Sequence, residues 1–240
     1  MAVAQSLPAA NSDSTTVGTP SRTGKYGEAY VNEISTPRYW LAAEGSYYTV
    51  QNAADDTQIT AHAAPAVADL STKPFIHFFN GNAAGGKSIY LDFISVYTIV
   101  ANASATRLFI DGYVDNKGST SVTSGGTAAT PVNVLSSSTA TSGATVTAGA
   151  VASTMTSPRK IFHTMVRPAI GIALDQYHFS FGNGLTMSQG AFVQATVQST
   201  FTCLPPVIIP PGSNFGFVQI SPNGAATAMT FEYCIGYFER

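Results

Sequence analysis

From Pro74 onward, short apolar runs rich in Ile, Val, Phe, Tyr and Thr alternate with Gly-, Ser- and Pro-containing breaks. "FIHFFN", "SIYLDFISVYTIV" and "RLFIDGYV" come first, then "YHFSFGNG", "AFVQATVQSTF", "PPVIIPPGSNFGFVQIS" and "ATAMTFEYCIGYFE". In the second run, period-2 patterning sets Leu91, Phe93 and Tyr97 against Tyr90, Asp92, Ile94 and Thr98, the signature of a half-buried strand. "DNKG", Asp115 to Gly118, reads as a turn, and Pro210-Pro211-Gly212 separates one strand from the next. The Val/Thr segments of "VTSGGTAATPVNVLSSSTATSGATVTAG" read as edge strands with wide loops. In "PRYWLAAEG" the chain has material for one or two helical turns after Pro37, ended by Gly45. Residues 51–74 read as an irregular connection. About ten strands at short spacing with almost no helix predict an all-β fold, an antiparallel β-sandwich.

Composition narrows the picture further. Charged residues are 10% of the 240, against roughly 25% in an average soluble domain. Exposed helices need such residues for their solvent faces, so few are expected. A net charge of -2 provides no basic footprint for nucleic acid or anionic lipid. Residues 1–24 are Ala, Ser, Thr, Pro and Gly with almost no large apolar side chains, and are expected to be a mobile or extended arm. Residues 25–240 are expected to form one sandwich domain. The opening "MAVAQSLPAANSDSTT" has neither the basic start nor the apolar stretch of a secretory signal, and no run approaches the length of a membrane span. Cys203 and Cys234 are too few for a disulfide framework or a four-cysteine zinc site, and are expected to be reduced, buried thiols in strands.

One motif points elsewhere. "GNAAGGKS", Gly81 to Ser88, satisfies the phosphate-loop pattern G-x-x-x-x-G-K-[ST]. Such a loop works by opening a helix whose N-terminus meets the phosphates, whereas "IYLDFISVYTIV" follows here, a poor helix and a good strand. The expectation is a long hairpin tip joining "FIHFF" and "IYLDFISV" as antiparallel neighbours, with Lys87 a solvated charge. His62, His77, His163 and His178 show no metal-ligand spacing, and His77 and His178 are expected to be satisfied wall residues. Asp55-Asp56, and Asp111 with Asp115, lack the spacing of a calcium loop. No nucleophile-elbow motif appears and no carboxylate pair stands out, so no enzyme activity, cofactor or metal is expected. Tyr39, Trp40, Tyr47 and Tyr48 offer rings that would stack on sugars if exposed, or fill the base of a sandwich if not.

"TVGTPSRTGKYGEAYV", "FFNGNAAGGKSIYLDFISV", "TSGGTAATPVNV" and "PPGSNFGFVQIS…FEYCIGYFE" together resemble small virion structural proteins of tailed bacteriophages. Gly24-Lys25-Tyr26, the Asn80/Asn82-to-Lys87 loop, Pro210 to Gly212 and the closing Glu239 carry the likeness. The resemblance implies a jelly-roll-like sandwich that decorates or cements a capsid, made in a host cytoplasm and residing on the virion. It implies the major capsid protein as partner, and self-association as a homotrimer. Arg22, Lys25, Tyr26, Tyr30, Arg38, Tyr39 and Trp40 are the residues expected to carry attachment. The alternative is a tail-associated, glycan-binding virion protein.

Overall fold

The computed structural model describes residues 37–52, 57–63, 72–102, 107–116, 122–153, 155–167, 173–182, 197, 199–222, 224 and 227–240, together with the backbone of 22–23 and 29–30. The elements run β1 (Arg22–Thr23), β2 (Ala29–Tyr30), α1 (Pro37–Ala43), β3 (Tyr47–Gln51), β4 (Ile59–Ala63), β5 (Ile76–Asn80) and β6 (Ile89–Val100). Then follow β7 (Leu108–Asp115), β8 (Val122–Ser124), β9 (Thr127–Ala129), β10 (Val132–Asn133), β11 (Ala144–Ala148) and β12 (Ala152–Ser153). The last are β13 (Arg159–Arg167), β14 (Gln176–Phe181), β15 (Ser199–Leu204), β16 (Ile208–Ile209), β17 (Asn214–Ile220) and β18 (Ala228–Glu239). The backbone clusters into two compact units, Met1–Trp40 and Leu41–Arg240.

Two sheets dominate the second unit. One has the order β10-β3-β18-β6-β14-β15, with β4 also paired to β18 and β16 to β6; the other is β13-β7-β17-β5-β11-β9. Each holds four principal strands: β3-β18-β6-β14 in the first, β13-β7-β17-β5 in the second. Counted along the chain, these eight read 1-8-3-6 and 5-4-7-2. That is the double Greek key of the jelly roll, so the all-β sandwich expected from the patterning is what forms. Among the described residues the pairing is antiparallel with one exception: β14 and β15 run parallel, Gln176 beside Ser199 through Phe181 beside Leu204. Parallel neighbours need a crossover longer than a hairpin turn, and the chain between 182 and 198 provides that length.

The inner faces meet through rings. Phe78 of β5 lies edge-on to Tyr237 of β18 at 5.8 Å, and Phe179 of β14 edge-on to Phe217 of β17 at 4.9 Å. Phe75 reaches Phe231 at 5.3 Å, and Phe162 of β13 reaches Phe181 at 6.3 Å. Such T-shaped and tilted pairs add to the burial of large apolar area between the sheets. At one end of this core Arg167 and Asp175, both buried, form an ion pair at 3.0 Å, and the Tyr177 hydroxyl donates to the other Asp175 oxygen at 3.1 Å.

Several local expectations meet their structural reasons here. The helix α1 closes as a Schellman motif, with Ser46 N–H donating to Leu41 C=O at 2.9 Å and Gly45 N–H to Ala42 C=O at 3.0 Å. Gly45, at φ 69°, supplies the left-handed residue that this cap needs. Pro210-Pro211-Gly212 is a type II turn: Ser213 N–H donates to Pro210 C=O at 3.0 Å, and Gly212 sits at φ 73°. The glycine loop departs from expectation, because β5 and β6 belong to different sheets and are not hairpin neighbours. The loop crosses between the layers, roughly 10 Å apart, a span its length allows and a tight hairpin turn would not. Asn80 and Asn82 hold its shape, each donating a side-chain N–H to the Lys87 carbonyl, at 2.9 and 3.0 Å. The face assignment of β6 also changes midway. A register shift against Gly236/Tyr237 inserts Asp92, so Leu91 faces the core while Phe93 and Tyr97 face outward and Ile94 and Val96 turn in.

The segment 116–158, between β7 and β13, closes one side of the sandwich. Its β10 pairs with β3 and its β11 pairs with β5, so one insertion covers an edge of each sheet. Asp115, at its start, accepts the backbone N–H groups of Thr156 and Ser157 near its end. The "TSGGTAATPVNV" stretch therefore forms edge strands, as its composition indicates. The second half of the turn expected at Asp115 to Gly118, the acidic pair Asp55-Asp56 and most of "AFVQATVQSTF" lie outside the described residues.

Candidate functional site

The residues expected to carry attachment all fall in the first unit. Lys25 and Tyr26 lie outside the described residues, while Arg22 and Tyr30 are direct partners in the short β1–β2 ladder. Arg38, Tyr39 and Trp40 occupy the first turn of α1, and all three are exposed, Tyr39 by 69% and Trp40 by 45%. Tyr47 and Tyr48 do not join them. Both are buried in β3: Tyr48 stacks on Tyr237 at 5.7 Å, and the Tyr47 hydroxyl donates to Asp92 at 2.7 Å. A four-ring sugar platform is therefore excluded, because only Tyr39 and Trp40 of the four rings stay in solvent.

The outer face of the eight-stranded sheet is a second candidate. Strand register puts Thr49, Gly236 and Phe93 in one row across it. Gln51, Cys234, Ser95, His178 and Phe201 form another, and Tyr47, Phe238, Tyr90 and Ile208 a third. Tyr90 and Phe238 stack in parallel at 4.9 Å, and His178 stacks on Phe201 at 4.7 Å with Tyr97 edge-on at 5.9 Å. His178 Nδ1 shares a hydrogen bond with the Ser95 hydroxyl at 2.9 Å, so it is a satisfied wall residue, and burial lowers its pKa. Phe201, Ile208 and Val132 are each half or more exposed (51%, 50% and 60%). Cys203 and Cys234 are free and only partly buried, contrary to the buried thiols expected, because both point outward on this face.

His77 departs from its expectation too. It is wholly buried on the outer side of β5, and neither ring nitrogen has a hydrogen-bond partner. Burial alone pushes its pKa down to about 4, so the ring is neutral at pH 7. An unfolded chain takes up that proton near the ordinary histidine value of about 6.5, while the folded one refuses it down to about 4. The histidine's contribution is therefore intact above about pH 6.5 and declines as the pH falls toward 4, by on the order of 3 kcal/mol in total. His77→Leu is expected to leave stability at pH 7 unchanged or higher and to flatten the acid limb of urea midpoint against pH.

A polar cluster on the other sheet was not visible in the sequence. Asp111 of β7 is fully buried between Lys160 and His163 of β13, which both pair with it, and the Tyr113 hydroxyl donates to it at 3.2 Å. His163 stacks on Phe109 at 4.7 Å. An aspartate that orients an imidazole is half of a general-base arrangement, yet here Lys160 neutralises the same carboxylate and the set ties edge strand β13 to β7. Asp111 and Asp115 are not a cation pair, since each carboxylate serves a different set of donors. Among the described residues no three metal-ligating side chains come together, and no helix is long and apolar enough to cross a membrane.

The glycine loop has its own geometry. Ser88 leads into strand β6 and not into a helix, Gly81 N–H is taken by Gly143 C=O at 2.9 Å, and Gly86 N–H by Ala83 C=O at 2.8 Å. The helix N-terminus on which phosphate binding depends does not follow Lys87. A scan against protein-family models finds no match, and searches of curated proteins and of solved structures find none either.

Proposed function

We propose that this chain is a structural protein of a bacteriophage virion that decorates and cements the capsid shell. Its partners are the major capsid protein and further copies of itself, in a homotrimer. The observation that supports this most is the strand order, a jelly roll of the kind used by viral capsid and lectin domains, in a chain with only 10% charged residues and a net charge of -2. The step from fold to role is one of analogy, and the sequence likeness to phage virion proteins points the same way. The physical logic is that a cement contributes rigid area, not turnover. A sandwich with one side closed by its own insertion, many copies to a shell, gains avidity without any single strong contact.

Attachment is assigned to the first unit, with Arg22, Lys25, Tyr26, Tyr30, Arg38, Tyr39 and Trp40 as its contact residues. Deleting residues 1–40, the whole first unit, is expected to abolish co-sedimentation with purified shells while the remaining chain keeps its β-rich circular dichroism. A truncated chain that binds shells as the full chain does would refute the assignment. The exposure of Tyr39 and Trp40 favours one other reading, a glycan-binding protein at the tail. Labelling the chain and imaging particles separates the two, because one reading puts the label over the shell and the other at the tail tip.

A further inference from the structure

We propose that the outer face of the eight-stranded sheet is where copies of this chain meet. This rests on the assembly role proposed above and names the surface that role leaves open. Its size is adequate. Six strands abreast at about 4.8 Å, the central pair β6 and β18 each twelve residues long, give a footprint of roughly 700 Å² once the shorter flanking strands are counted. Stable protein interfaces take about that much from each partner.

Its chemistry fits a second copy of itself better than a charged partner. The rows across its centre hold Phe93, Tyr90, Phe238, Tyr97, His178 and Phe201. Aromatic residues are the type enriched at the buried centre of interfaces, and charged residues the type depleted there. Of the two acids on this part of the sheet, Asp92 is buried and already accepts the Tyr47 hydroxyl, which leaves Glu232 toward one end. A face with so little charge sets up no repulsion against a neighbouring copy of the chain, and offers nothing to steer a strongly basic or acidic partner. The stacked pairs Tyr90–Phe238 and His178–Phe201 also hold the rings in place beforehand, so less side-chain entropy is lost on contact. The outer face of the other sheet contrasts with this: Lys160 and His163 of edge strand β13 stand on it, beside Asp111 of β7.

The test uses full-length protein and substitutions at exposed positions that leave the core alone. Phe201→Glu and Ile208→Lys, singly and together, are compared with Met165→Glu on the opposite sheet by sedimentation velocity. Labelling of Cys203 and Cys234 is followed in parallel. The expected result is that the wild-type chain sediments as an oligomer with both thiols protected, and that Met165→Glu leaves this unchanged. The double variant is expected to run as a folded 25.0 kDa monomer whose thiols react at least tenfold faster. A wild-type monomer across the concentration range, or a double variant that stays oligomeric with protected thiols, would overturn the proposal. Shell binding is scored separately on the same proteins. Oligomers that dissociate as expected yet never bind shells defeat the cement reading alone, and shell binding with an oligomer indifferent to Phe201 and Ile208 defeats this inference alone.

Discussion

Replacing Arg167 with alanine is expected to lower the unfolding free energy by about 3–5 kcal/mol. The guanidinium is 1% exposed and donates to Asp175, itself fully buried, at 3.0 Å. Without it, an aspartate stays in a low-dielectric site with the Tyr177 hydroxyl as one remaining donor. That hydroxyl has its pKa pushed far up by burial and by the neighbouring carboxylate, so it stays protonated and keeps donating to Asp175. The cost belongs to the buried charge left behind and not to the value of the pair. The triple variant Arg167→Met/Asp175→Leu/Tyr177→Phe is accordingly expected to recover most of the loss. Urea denaturation of the three proteins decides the matter, and a triple variant no better than Arg167→Ala would show that the pair itself provides the stability.

Phe217→Ala is expected to cost about 3–5 kcal/mol. Phe217 lies in the middle strand of the six-stranded sheet with no exposed surface, and its ring meets Phe75 at 5.3 Å, Phe162 at 6.1 Å, Phe179 at 4.9 Å and Phe215 at 6.2 Å. Four rings from both layers cannot all move into the gap, because each is fixed by its own strand's hydrogen bonds, and the cavity remains. Met165→Ala, at an exposed position of edge strand β13, is the control and is expected to stay within about 0.5 kcal/mol of wild type. Chemical denaturation of both variants measures the contrast, and equal losses would mean the core is not where the ring contacts place it.

Much of the sandwich could be read from local pattern. Alternation marked β6, β7, β14, β17 and β18, and turn chemistry marked Gly45 and Gly212, because these depend on neighbours in sequence. What escaped depends on partners far along the chain. The shift at Asp92 that turns Phe93 outward arises from the register with Gly236, more than a hundred residues on, and no local period contains it. The Asp111 cluster hid for the same reason. Lys160 and His163 are three apart, which in an unbroken strand puts them on opposite faces, and only the irregularity between Lys160 and Phe162 brings both to Asp111. The glycine loop misled differently: a Gly- and Asn-rich break between two strands suggests a hairpin, yet nothing in it says whether the next strand joins the same sheet. As for the site, exposure at Tyr39 and Trp40 could not be told from burial at Tyr47 and Tyr48 by residue type. That was settled by which of them lay in β3.

The central claim is that this jelly roll serves by coating a shell in many copies. Quantitative mass spectrometry of purified virions, with the major capsid protein as internal standard, measures it directly. The account predicts on the order of hundreds of chains per particle, in fixed ratio to the shell protein. A dozen copies or fewer, or none, would contradict it.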